Sequence, residues 1–197
     1  MQRMIPLWIK ITYTLYILVL VPVYWVNYGP ANFLWFSDIA FLAIGAALWL
    51  ENRFLASMMT VGTILVEIIW NADFFFQLVS GRPGLDIASY MFDPAIPLYL
   101  RALSGFHIIL PLMELWLLSR LGYATEAWKA QSILTCLVVP ASRIASDEKL
   151  NVNWVYGPGG RQTVLPDPVY VALVAAVVVI AFILPGHLLL RRLFRRG

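Results

Sequence analysis

The chain has 197 residues, is 61% hydrophobic and only 13% charged, and has a mean hydropathy of +0.78. Soluble domains carry about a quarter charged residues, so this composition excludes an ordinary soluble protein and implies one that lies in a membrane. The formal charge of +3 does not argue for nucleic acid, because much of the basic excess is the run RRLFRR after an apolar stretch; the single cysteine, Cys136, excludes an internal disulfide and any multi-cysteine metal site.

Apolar runs of about 20 residues, interrupted by Gly, Pro and charge, predict six spans. The first covers residues 5–28 and closes at NYGP. It holds Lys10 and has no small-residue cleavage site, so it reads as a retained span and not as a leader. The second begins near Asn32 and ends at ENR, and the third covers residues 54–79 and stops at SGRPG. The fourth covers residues 100–121. The fifth begins near Thr125, where TEAW has the form of an N-cap with an acidic first turn, and ends by Ser146. The sixth covers residues 168–190.

Two connections are long. Residues 81–99 hold three prolines and two aspartates, which suits an interfacial or partly re-entrant segment better than a seventh span. Residues 146–168 are polar and turn-rich, with Trp154 and Tyr156 suited to the headgroup level. The expected fold is therefore a single all-α domain over residues 1–197, an integral membrane bundle of about six transmembrane helices with two structured outer loops.

Charge orients the bundle. With six spans both termini share a side, and that side collects Arg3, Lys10, Arg53, Arg120, Lys129, Arg191, Arg192, Arg195 and Arg196, nine of the 14 basic residues. The positive-inside rule places both termini in the cytoplasm of a cell-membrane protein and turns the long loops outward.

The polar residues inside the spans then gather toward the outer leaflet: Asp38, Asn71, Asp73, His107 and Arg143. Thr60, Thr63, Glu67 and Asn71 share one helical face. His107 and Glu114 are seven positions apart, about two turns, with Pro111 between them. Ionisable groups in a bilayer cost several kcal/mol unless paired or hydrated, and an outward-facing polar pocket satisfies all of them. The plainer alternative is hydrogen-bonding between helices for Asp38, Glu67 and Asn71, a structural histidine at 107, and snorkelling or a structural ion pair for Asp73 and Arg143. His187 falls at the opposite, cytoplasmic end. A metal held by His107 with Asp38 and Glu67 or Asp73 has no sequence-local motif behind it, so neither metal nor cofactor is expected. No phosphate-binding or dinucleotide motif is present.

Two stretches carry a resemblance. NFLWFSDIAF resembles the second-helix motif of the androgen-induced-protein family of intramembrane hydrolases, approximately Phe-Leu-Thr-Phe-x-Asp. GFHIILPLMEL resembles that family's histidine-bearing stretch, a His followed by Leu-Pro and then Glu. The resemblance implies a multi-span enzyme cleaving fatty acid esters of hydroxy fatty acids with a threonine and a histidine. It puts His107 at the catalytic histidine, Asp38 at the aspartate, and Trp35 where the nucleophilic threonine belongs. Tryptophan cannot attack an ester, so Ser37, Thr60, Thr63, Cys136 or water would have to act instead. The NVNWVYG loop is similar to the Asn-x-Asn-Tyr loop of YwaF-type six-span membrane proteins, for which acyl-transfer chemistry has been proposed.

The expected chemistry is hydrolysis or transfer of acyl groups on a membrane lipid. His107 serves as base, Glu114 or Asp38 orients its imidazole, and Ser37 or water attacks. Glu67, Asn71 and Trp35 line the substrate site, with Arg101 or Arg143 on a lipid phosphate or carboxylate. The competing expectation is a non-catalytic binder of lipid, quinone or another small molecule, or an accessory subunit with a membrane-protein partner or a second copy of itself.

Overall fold

Each apolar run becomes a helix in the computed structural model, which describes residues 5–194. Helix α1 is Leu7–Tyr28, α2 is Phe36–Leu50 and α3 is Arg53–Ser80; α4, Leu98–Leu103, leads into α5, Phe106–Leu121; α6 is Ala127–Ala145. Helix α7, Asp167–Val177, continues through a π-helical segment, Val178–Ile183, into α8, Leu184–Leu193. Among the described residues there is no strand. Arg3, Arg195 and Arg196, which entered the charge count, lie outside the described residues.

Four of these segments are long and apolar enough to cross a membrane: Leu7–Tyr28, Arg53–Ser80, Leu98–Leu121 and Asp167–Leu193. Helix α2 has 15 residues, about 22 Å, against a hydrocarbon core of about 30 Å. Its start differs from the sequence expectation: Gly29 takes a positive φ of 78° and Pro30 opens a 3-10 turn, Pro30–Leu34, so the α-helix begins at Phe36 rather than near Asn32. Within the fourth run the α-helical bonding tightens between α4 and α5, where Ser104 and Gly105 keep helical dihedrals and the Gly105, His107 and Ile108 amides bond the carbonyls three residues earlier. At the start of α6, Thr125 does not cap the helix. Glu126 holds the cap position without a side-chain cap bond and pairs with Lys129 at 2.6 Å, while the carbonyl of Ala124 takes the amide of Ala127.

Helix α3 is the central element, packed against α2, α5, α6, the π-helical segment and α8. That position explains its sequence, since Thr60, Thr63 and Glu67 are buried together with Ala56, Val61 and Ile64. Gly62 permits the close approach of α6: a Cβ there would lie 2.3 Å from the Gln131 Nε2. Surrounded on several sides, α3 must satisfy its polar atoms within the bundle.

The second long loop is a latch. Asn153, in a short 3-10 turn (Val152–Trp154), accepts from the Phe36 amide at 3.3 Å and donates to the Leu34 carbonyl at 2.8 Å and to Ser142 Oγ at 2.9 Å. One side chain therefore ties the start of α2 to α6. Asn151, Asn153 and Trp154 all take positive φ, and Asn151 holds the turn by accepting from the Tyr156 amide and donating to the Gly157 carbonyl. Asn tolerates that backbone region better than most residues. Replacing Asn153 by Ala should leave the Leu34 carbonyl, the Phe36 amide and the Ser142 hydroxyl short of a partner, at a cost of about 2–3 kcal/mol. Thermal unfolding of the detergent-solubilised protein should show a lowered midpoint, and an unchanged midpoint would dismiss the latch.

Candidate acid–base site around His107

The stripe on α3 meets the start of α5 at His107. Glu67, fully buried, faces the imidazole, with His107 Nδ1 at 2.9 Å from Glu67 Oε2 and 3.2 Å from Oε1. Asn71, one turn along the same face, donates to the carbonyls of both Glu67 and His107 at 2.8 Å. The carboxylate thus orients the ring while the amide fixes the backbone that carries it. The imidazole keeps 15% of its side-chain surface exposed, and its partner bonds all fall on Nδ1. This is a carboxylate–imidazole dyad with Nε2 left for other chemistry.

Aromatic rings wall the dyad. His107 stacks on Trp70, with ring centres 4.6 Å apart, and on its neighbour Phe106 at 4.1 Å. The stack continues from Trp70 to Phe74 and from Phe74 to Phe92 in the first long loop. Tyr90, in the 3-10 turn Ser89–Phe92, packs against Trp70; burial pushes its phenol above the usual range, so it stays a neutral hydroxyl.

Asp73 pins that loop over the site. Its Oδ1 accepts from the Leu85 amide at 2.6 Å, and its Oδ2 accepts from Ile87 at 2.9 Å, Ala88 at 2.8 Å and Gln77 Nε2 at 3.0 Å. Gly84 is required by this approach, because a Cβ there would sit 2.2 Å from Asp73 Oδ1. Arg101 closes the other end of the loop, donating to the carbonyls of Ile96 and Met91.

The site residues expected from sequence divide accordingly. His107, Glu67 and Asn71 converge. Asp38, in the first turn of α2 and only 5% exposed, lies within electrostatic range of His107 and Glu67, and its Oδ1 has no hydrogen-bond partner. Glu114 does not orient the imidazole: it is fully buried one layer below, where its Oε1 accepts from Thr63 at 2.6 Å and its Oε2 is unpartnered. The seven-residue spacing put it on the right face of α5, but Glu67 on α3 reaches the ring first. Trp35 and Ser37 are half-buried at the start of α2. Among the described residues no Ser or Thr hydroxyl and no Cys thiol is hydrogen-bonded to His107. Arg101 and Arg143 are engaged elsewhere, Arg101 on the loop and Arg143 with Tyr156 and Asp167. Asp73 and Arg143 do not pair with each other.

Trp70 and Tyr90 were missed. Trp70 was recoverable, since it lies three positions beyond Glu67 and therefore on the same face, whereas nothing local in the loop points to Tyr90. Among the described residues no group of three His, Cys, Asp or Glu side chains is placed to hold a metal ion. No protein-family model, no curated protein and no solved structure matches the chain.

Removing the Asp73 carboxylate should free the loop while leaving the bundle folded. In Asp73→Ala, hydrogen exchange at the amides of Leu85, Ile87 and Ala88 should accelerate roughly 10- to 100-fold, as expected for losing about 1.5–3 kcal/mol of charge-assisted bonds. Equal exchange in the variant and the parent would show that the loop is held by its aromatic contacts alone.

Proposed function

We propose that this chain is an integral membrane protein with both termini in the cytoplasm, and that its His107–Glu67 dyad hydrolyses the ester of a membrane lipid entering from the outer leaflet. The membrane placement is supported by the four long apolar helices and by broad exposed apolar surface, including Trp8, Val26, Val79 and Ile180. The orientation is supported by the excess of Lys and Arg on the side of the termini. The single observation that carries the chemistry is a histidine with its Nδ1 held by a buried carboxylate and its imidazole still partly exposed beside an aromatic wall.

Water is the nucleophile in this reading, since among the described residues no Ser or Thr hydroxyl and no Cys thiol is hydrogen-bonded to His107. His107 Nε2 takes a proton from water as the oxygen attacks the acyl carbonyl, and Glu67 stabilises the imidazolium that forms. The bond from the acyl carbon to the alcohol oxygen then breaks, and the imidazolium returns its proton to that oxygen. The products are a fatty acid and an alcohol. Asp38, within electrostatic range of His107 and with one buried oxygen unpartnered, has the acceptor capacity to take a hydrogen bond from the attacking water. The resemblance of the NFLWFSDIAF and GFHIILPLMEL stretches to intramembrane ester hydrolases points the same way.

Two measurements test the two parts. Alkaline carbonate should leave the protein in the membrane pellet; release into the supernatant would remove the membrane placement. With the purified protein in lipid nanodiscs and a fluorogenic long-chain acyl ester, His107→Ala should lower hydrolysis by about 10²–10⁴-fold, with Glu67→Gln following in the same direction. Hydrolysis unaffected by His107→Ala would exclude the dyad.

That no Ser, Thr or Cys side chain among the described residues is hydrogen-bonded to His107 favours a second reading, in which the same dyad binds a lipid or quinone headgroup without turnover. In that case the parent protein shows no ester hydrolysis, and His107→Ala lowers only ligand affinity.

A further inference from the structure

A second feature lies away from the dyad, where α6 and α7 diverge. Between them runs an open groove of about 780 Å³. Pro140 and Ile144 of α6 form one wall, Ala172 and Ala176 of α7 the other, and Val171 and Ala175 are buried beneath. The lining is apolar except at one end, where Arg143 and Asp167 form an ion pair. Arg143 also stacks on the Tyr156 ring, 4.0 Å from its centre, and donates to the Tyr156 hydroxyl. Arg161 bridges from Glu148 toward Asp167 at the same end. The groove therefore has two arginines and two carboxylates at its rim and hydrocarbon along its length.

We infer that this groove binds one acyl chain of a zwitterionic phospholipid, with the headgroup phosphate on Arg143 and Arg161 and the headgroup cation on Asp167 and Glu148. The inference rests on the membrane placement proposed above and not on any activity at His107. Length fits: the helix from Asp167 to Ile180 along the groove is about 20 Å long, which exceeds the roughly 15 Å depth of one leaflet. Polarity fits as well, because the charges collect at the end beside the loop of residues 146–168, whose Trp154 and Tyr156 suit it to headgroup level. The rim charges sum to zero, so a purely anionic headgroup meets Asp167 and Glu148, and a purely cationic one meets the arginines. Arg143 spends two of its five N–H donors on Tyr156 and Asp167, leaving donors for phosphate oxygens.

Cys136 makes the groove directly readable. It is exposed, it lines the groove, and it is the one cysteine in the sequence. In delipidated protein held in detergent micelles, N-ethylmaleimide should label Cys136 readily, with the product followed by intact mass. Dioleoyl phosphatidylcholine at ten times its half-protecting concentration should slow labelling about tenfold, as single-site mass action requires. Dioleoylglycerol, which lacks the headgroup, and dioleoyl phosphatidate, which lacks the cation, should protect less at the same concentration. Arg161→Glu, an exposed change, should weaken phosphatidylcholine protection with the groove intact, and Ala172→Trp, which fills the groove, should abolish it. Three results would each overturn the inference: no protection by phosphatidylcholine, equal protection by dioleoylglycerol, or protection that rises with protein concentration in the absence of lipid, which would assign the groove to a second copy of the chain. None of these arms reads turnover, so they stand apart from the test of the dyad.

Discussion

A carboxylate with no exposed surface on the most enclosed helix is the constraint around which this bundle is arranged. Glu67 sits where α3 is packed by its neighbours, and an unpaired charge in such surroundings costs several kcal/mol. His107 supplies the partner, and supplying it fixes much else. The first turn of α5 starts level with Glu67, and the chain enters it through the tightened turn at Ser104 and Gly105 that follows α4. Asn71 then clamps the His107 carbonyl to α3, and Asp73, two residues further along, gathers the amides of the returning loop. Three polar side chains within seven positions of α3 thus set the pairing partner, the entry of α5 and the cover above both.

The same economy governs the rest of the buried polar groups. Lys10, 3% exposed, meets Glu51 at 2.8 Å and lies over the Trp49 ring. Thr60 and Thr135 each return a hydroxyl to the carbonyl four residues earlier, which lets a helix carry them without partners on other helices, and Thr63 and Ser142 make the same bond beside their contacts to Glu114 and Asn153. Where a cross-helix bond is made, it is placed to hold register: Tyr13 to the Phe41 carbonyl between α1 and α2, Tyr24 to Ser104 between α1 and the α4–α5 turn, and Asn153 across to Leu34 and Ser142.

Periodicity made the helical class and the polar face of α3 legible in the sequence, because Thr60, Thr63, Glu67 and Asn71 repeat at the spacing of one face wherever that helix is packed. The identity of the imidazole's partner was not legible. Spacing within α5 nominates Glu114, and only the crossing of α3 over α5 puts Glu67 closer. The start of α2 was misplaced for a related reason: Phe33, Leu34 and Trp35 extend the apolar run back to Asn32, while Pro30–Leu34 forms a 3-10 turn ahead of the α-helix. The role of Asn153 depends on contacts more than a hundred residues distant in sequence, which no local pattern encodes. The pairing of Arg143 with Tyr156 and Asp167 was not legible either, because both partners lie across the loop from it.

What separates this site from polar glue between helices is its incomplete satisfaction. Glue works by giving each buried polar atom a partner on the facing helix, as Asn71 and Asn153 do. Buried oxygens without any partner are few in folded proteins, yet Asp38 Oδ1, Glu114 Oε2 and Gln131 Oε1 are all unpartnered here. Thr63 cannot make up the deficit at Glu114, because its one proton is shared between Glu114 at 2.6 Å and the Met59 carbonyl at 2.8 Å. A bundle optimised for stability alone would replace Asp38 or Glu114 with an apolar side chain of similar volume at little cost or with a gain. Keeping Asp38 under-bonded within electrostatic range of a partly exposed His107 costs stability, and it leaves a buried carboxylate oxygen with unused acceptor capacity in the same region of the bundle. An under-bonded carboxylate and a partly exposed imidazole within electrostatic range of each other are what a bundle held only by interhelical glue would lack.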